Sequence, residues 1–234
     1  MATANKTAVA ILPARGGSKR IPHKNIKPFL GHPAIHWPIR AAHDSGVFAR
    51  IIVSTNDDAI AATARAAGAE VPFRRDAGLA DDHTGTTEVI RDAVLRLELP
   101  PETPVCCLYP TAVLIRPQDL AAGLDRLDTA AWVLSLGAYR TPIDRAYGMD
   151  AATGRVMARD IAMMPKRSQD LNPAYYDLGA FYWALAATWM DPAARVWLGA
   201  AAVVLPPERC IDIDTEDDWV LAERMAAALP AMAP

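Results

Sequence analysis

The chain has 234 residues, 52% of them hydrophobic and 22% charged, which fits a soluble globular protein with enough apolar mass for one large domain. A formal net charge of -3 and a sequence pI near 5.9 exclude a general nucleic-acid binder. No apolar run reaches the length of a membrane span, and the polar start MATANKT is no secretory leader, so no membrane partner and a cytoplasmic setting are expected.

In chain order, residues 9–12 (VAIL) read as a buried strand that Pro13 ends, because proline has no N–H to give a sheet ladder. A basic loop follows. Arg15, Lys19, Arg20, Lys24 and Lys27 are interleaved with Gly16, Gly17 and Ser18, and Pro22 and Pro28 stiffen the run. Glycines bring backbone N–H groups close to a ligand and the cations add full charge, a pairing suited to a polyphosphate. A solvated basic loop is the bland alternative. The glycine spacing matches neither G-x-x-x-x-G-K-[ST] nor G-x-G-x-x-G, so neither a P-loop nor a dinucleotide fingerprint is present.

Residues 33–45 read as a helix closed by Gly46, with Pro38 requiring a late start or a kink. Residues 50–54 (RIIVS) are a second strand. Residues 57–67 are a helix capped by Asn56 or Asp57 and ended by Gly68, and 71–73 are extended. The polar segment 74–88 is a loop placed to lie beside the first one, with His83 a solvated residue in it. Residues 87–99 form a helix whose core face is Val89, Ile90, Ala93, Val94 and Leu97. Residues 105–109 (VCCLY) are a central parallel strand with Cys106 and Cys107 on opposite faces, and no cysteine spacing suits zinc. A helix over 117–127 and a strand over 131–136 continue the alternation. The whole predicts an α/β fold, mostly parallel, with helices on both faces.

From about 139 to 176 short alternating pieces and turn residues predict a hairpin leaving the sheet. Within it KRSQDL sets Lys166 and Arg167 beside Gln169, either an exposed charged turn or a clamp for a carboxylate. The run YYDLGAFYW (175–183) returns to the sheet, its aromatics mainly core, with Tyr176 and Asp177 placed to face a pocket. In IDIDTEDDW, Asp212 and Asp214 share one face of an extended segment while Ile211 and Ile213 face the core. Two such carboxylates repel unless a cation lies between them, and oxygen ligands favour Mg2+. The competing reading is that Asp214 or Thr215 caps a helix over 216–225.

The run ARGGSKRIP (14–22) with KNI (24–26), the YPTA that follows the central strand, and IDID together resemble the CMP-sugar cytidylyltransferases over nearly the full length. The resemblance implies a Rossmann-like nucleotidyltransferase fold in a single domain over 1–234, with the 139–176 insertion serving as a dimerisation and sugar-lid element. It implies CTP on Ala14, Arg15, Gly16, Gly17, Ser18, Lys24 and Asn25, with Arg75 and Thr86 at the cytosine end. It implies Asp212 and Asp214 as ligands of Mg2+ and, with Lys24, as the catalytic set. Tyr109 stands where most of the family has a glutamine touching the acceptor. That departure, with RSQDL and YYDLGAFYW, is similar to the branch that activates pseudaminic acid, a nine-carbon acidic sugar of flagellin and surface glycans. Tyr109, Lys166, Arg167, Gln169, Tyr176 and Asp177 are then the sugar-binding set, in a homodimer. N-acetylneuraminate and legionaminate are the alternative acceptors, and a non-catalytic nucleotide sensor is the alternative of another class.

Overall fold

The computed structural model describes residues 7–81 and 84–230; His83 and the start of the chain through residue 6 lie outside the described residues. In chain order come strand β1 (Ala8–Pro13), the short strands β2 (Pro28–Phe29) and β3 (His32–Pro33), helix α1 (His36–Ser45), strand β4 (Phe48–Ser54), and helices α2 (Asp58–Ala66) and α3 (Thr86–Arg96). Strand β5 (Pro104–Leu108), helix α4 (Pro117–Asp125) and strand β6 (Val133–Ala138) follow, then strands β7 (Tyr147–Met149) and β8 (Val156–Ala158). The long strand β9 (Tyr175–Leu185), helix α5 (Ala186–Met190), strand β10 (Ala201–Val204) and helix α6 (Glu216–Ala228) come last.

Six strands form the main sheet in the order β10, β6, β9, β5, β1, β4. Strand β1 runs parallel to β4 and β5, and β6 runs parallel to β10, whereas β9 is antiparallel to both β5 and β6. Side chains alternate across the strands, so the sheet feeds two cores. Leu12, Cys106 and Phe181 pack with Ile39 of α1, Ile60 of α2 and Leu120 of α4 on one face. Ile11, Cys107 and Ala184 pack with Ile90 and Val94 of α3 and Trp189 of α5 on the other. The two cysteines therefore do point to opposite faces.

Local chemistry accounts for the differences at element ends. Strand β1 runs through Pro13, opposite Ser54, because the pairing there is carried by the next residue, whose Ala14 N–H donates to the Ser54 carbonyl at 2.9 Å. The first helix starts at His36, since His32–Pro33 pairs antiparallel with Pro28–Phe29. Pro38 then sits in the first turn, where its missing N–H costs no helical bond. Gly46 closes that helix at φ 71°. Helix α2 is capped by Asp57, whose carboxylate accepts from Ile60 N–H at 2.9 Å.

A third cluster gathers segments that follow β1 and β5 and decides where the site forms. Ile21 of the basic loop, Phe29 and Trp37 pack with Ile213 and with Trp219 of α6. Phe29 meets Trp219 edge to face at 5.7 Å and Trp37 at 6.4 Å. Burying Ile21 and Ile213 completely is worth about 1.5–3 kcal/mol each. That apolar contact joins the N-terminal loop to the C-terminal acidic run. The insertion does leave the main sheet, with β7 and β8 paired as a separate antiparallel ribbon. Among the described residues no helix is long and apolar enough to cross a membrane.

Candidate functional site

At the carboxyl ends of β1 and β5 a cleft of about 410 Å³ opens, with Pro13, Arg15, Ser18, Lys19, Arg20, Lys24 and Asn25 on one side and Tyr109, Pro110 and Thr111 on the other. Its basic wall is tied down at several points. The buried Asn25 amide donates to the Arg15 carbonyl at 3.0 Å, and the Asn25 carbonyl accepts from Ile35 N–H at 2.9 Å. Gly16 N–H donates to Asn56 Oδ1 at 3.2 Å, and a Cβ on Gly16 would lie 2.6 Å from Asp57 Oδ2, so only glycine fits without displacing the α2 cap. Gly17 has open space beside it. Ala14 is fully buried at the base of the loop. These ties fix a cation-lined turn whose backbone can approach an anion closely.

The acidic run meets this wall directly. Lys24 Nζ donates to the Ile213 carbonyl at 2.5 Å and lies 3.4 Å from Asp214 Oδ1. Arg20 Nη1 lies 3.0 Å from Asp214 Oδ2. Lys27 pairs with Glu216 and stands 4.6 Å above the Trp219 ring. Asp212, two residues before Asp214, has its carboxyl pKa raised by desolvation first and by Asp214 second, with Lys24 and Arg20 opposing the rise. The helix cap that competed for these acids falls to Thr215 and Asp218, which form a capping box. Asp218 also accepts from Asp214 N–H at 3.0 Å, so the cap holds the backbone of the run and leaves the Asp214 carboxylate to Lys24 and Arg20.

The donor set suits magnesium. Two carboxylates two residues apart are hard oxygen ligands, and Mg2+ is usually held by one or two such groups with phosphate and water completing the shell. Among the described residues no third His, Cys, Asp or Glu joins them as a protein metal cage.

A smaller cleft of about 220 Å³ adjoins the first and shares Tyr109 with it; Thr86, Asp177, Tyr182 and Trp197 are among its walls. The Tyr109 and Thr86 hydroxyls are 2.8 Å apart, and burial raises the Tyr109 phenol. Tyr182 packs on Tyr109 at 5.9 Å and donates to Asp177 Oδ2 at 2.6 Å. The pairing of β6 with β9 shifts register here, Leu134 opposing Tyr182 and Leu136 opposing Asp177, with the extra residues carried by β9. The Ser135 hydroxyl accepts from the N–H groups of Ala180 and Phe181, while the Ala180 carbonyl accepts from Tyr109 N–H at 2.9 Å. Irregular pairing of this kind re-aims side chains next to sites.

Arg75 is buried at the end of β4, with its guanidinium on the Ser54 hydroxyl and carbonyl. Burial and then Arg15 push its pKa down to about 10, so it stays charged at neutral pH. The 74–88 segment does reach the first loop: Arg15 Nη1 donates to the Asp81 carbonyl at 3.0 Å.

Four sugar candidates are not among the residues lining either cleft. Lys166, Arg167 and Gln169 are exposed on the insertion, and Arg167 pairs with Asp170 at 2.8 Å. Tyr176 packs over Gly137 and at 5.1 Å from Tyr139, with the core on the opposite face from Tyr182. Its phenol is raised by burial and by Cys210. Sequence reasoning counted Arg20 only among the loop's cations, and gave Asn56, Asp57, Asp218 and Tyr182 no place in the site. Asn56 and Asp57 had a usable signal, since they follow a strand parallel to β1 and so end beside its loop.

A Cytidylyltransferase family profile matches residues 9–141. A pseudaminic acid cytidylyltransferase of Campylobacter jejuni subsp. jejuni serotype O:2 is 36% identical over 92% of this chain and 94% of its own length. N-acylneuraminate cytidylyltransferase B of Danio rerio is 33% identical over 92% of this chain and 50% of its own. A solved CMP:2-keto-3-deoxy-manno-octonic acid synthetase complexed with CTP shares the fold with a TM-score of 0.67 at 17% identity, covering 94% of this chain and 98% of that one.

Proposed function

The chain belongs to the cytidylyltransferase family, and from that premise we propose that it transfers CMP from CTP to the anomeric hydroxyl of pseudaminic acid, releasing diphosphate. The observation that carries the reading is the meeting of Lys24 with Asp214 at 3.4 Å, which joins the cationic wall of the cleft to the acidic run. Such a cleft has both charges that nucleotidyl transfer needs, one for phosphate oxygens and one for a divalent cation.

In this reading Arg15, Ser18 and the N–H groups of the Gly16–Gly17 turn hold the triphosphate, and Lys24 faces the departing diphosphate. Arg75 and Thr86 lie toward the base. Mg2+ held by Asp212 and Asp214 would neutralise phosphate charge and favour ionisation of the attacking hydroxyl. Tyr109 separates the two clefts and presents the acceptor sugar to the α-phosphate in line, so that the chain's own contribution is positioning and fixed charge.

Assembly as a homodimer belongs to the same proposal. The insertion exposes Met149 at 70%, Met157 at 77% and Ile161 at 80%, which is apolar surface suited to a second copy. Pairing would also bring Lys166, Arg167 and Gln169 toward the partner's sugar cleft. A cytoplasmic setting supplies the CTP.

Diphosphate release with CTP, Mg2+ and each of pseudaminic, N-acetylneuraminic and legionaminic acids tests the function. Fastest release with pseudaminic acid is expected. Release with none of the three would favour the nucleotide sensor instead.

A further inference from the structure

Asp214 carries two cations, and they are held differently. Lys24 is anchored, with its side chain 19% exposed and its ammonium also bonded to the Ile213 carbonyl at 2.5 Å. Arg20 is 67% exposed along its side chain and reaches Asp214 Oδ2 at 3.0 Å from the solvent side. Arg20 also lines the 410 Å³ cleft with Arg15, Ser18 and Lys19. An exposed ion pair is weak and easily exchanged, whereas a guanidinium binds a phosphate through two parallel bonds.

We propose that Arg20 is an exchangeable counter-ion, holding Asp214 while the cleft is free of nucleotide and moving to the polyphosphate when CTP enters, so that nucleotide binding releases Asp214 to a divalent cation. The proposal rests on the nucleotidyltransferase reading above and adds an order to it, nucleotide before metal. Two opposed demands meet at one carboxylate. A divalent cation between Asp212 and Asp214 repels a guanidinium on the same oxygens, and the triphosphate offers that guanidinium a better partner a short swing away. By linkage, the factor by which bound CTP tightens the metal equals the factor by which the metal tightens CTP.

The test compares the intact protein with Arg20→Gln and Arg20→Lys in two titrations. Mn2+ added to nucleotide-free protein is followed by the loss of free-ion EPR signal, and CTP added in EDTA is followed by calorimetry. Arg20→Gln is expected to tighten Mn2+ and weaken CTP, each by about two- to fivefold, the scale of one exposed ion pair. Arg20→Lys, which keeps the charge, is expected to restore both toward the starting values. Unchanged or weaker Mn2+ binding by Arg20→Gln, with CTP still bound by the intact protein, overturns the exchange and leaves the function standing. Failure of the intact protein to bind CTP overturns the function, and the exchange with it.

Discussion

Lys24 Nζ and the Ile213 carbonyl oxygen lie 2.5 Å apart across 189 positions of chain. The bond places the ammonium beside Asp214, because the neutral backbone oxygen accepts a hydrogen bond from one of its N–H groups while another faces the carboxylate. A lysine so fixed keeps its charge aimed into the cleft.

Lys24→Ala is expected to lower the rate of diphosphate release by roughly a hundredfold or more, the usual cost of losing one preorganised electrostatic contact. Circular dichroism should show an unchanged fold. Turnover at the original rate would remove Lys24 from the reaction.

Tyr109 holds Thr86 at 2.8 Å and closes both clefts. Tyr109→Gln should lower kcat/KM for pseudaminic acid by about tenfold or more, because the site loses a placed hydroxyl and an aromatic wall. The KM for CTP should move little. A parallel loss for all acceptor sugars would show that Tyr109 supports the fold and does not choose the substrate.

Arg209 and Asp119 form a buried pair, with side chains 7% and 8% exposed, and Asp119 Oδ2 also accepts from Arg116 N–H at 2.9 Å. Asp119→Ala strands a buried guanidinium, and urea unfolding should show a loss of about 3–5 kcal/mol. The double change Asp119→Leu with Arg209→Met should recover much of it. Because Arg209 lies just before the acidic run, the single variant should also weaken catalysis.

Asp218 has its pKa lowered first by the Thr215 hydroxyl and further by the N–H groups of Thr215 and Asp214. The folded value is depressed, so this stabilisation is complete above the ordinary carboxylate range and is lost as the pH falls through the depressed value. Asp218→Ala should cost about 1 kcal/mol at neutral pH, as loss of a cap does. The difference in Tm between the two proteins should shrink between about pH 7 and about pH 3. A constant difference would mean that the carboxylate's charge contributes nothing to the cap.

Elements with a strong local signal were legible before the structure: the α1 stop at Gly46, an α2 cap at Asn56 or Asp57, of which the fold uses Asp57, the apolar face of α3 and the hairpin in the insertion. Their causes lie within a few residues of their effects. The pair Arg209–Asp119 and the contact of Arg20 with Asp214 join distant parts of the chain, and no periodicity encodes them. Strand β10 (AAVV) and helix α5 (AATWM) are short and alanine-rich, with weak patterns of either kind, and tertiary packing decides them. In the site, the loop and the aspartates were readable as chemistry, but only the burial of Ile21, Phe29, Trp37, Ile213 and Trp219 in one cluster puts them together.

The reversed strand β9 has an architectural consequence. It hydrogen-bonds to β5 on one edge and to β6 on the other, so the sheet's hydrogen bonding joins the parallel groups β4–β1–β5 and β6–β10 through it. Its first residues emerge straight from the insertion. The protruding arm is thus the free end of the seam that stitches the two halves of the sheet, and a shortened protein would have to splice before Tyr175 to avoid unzipping its own middle.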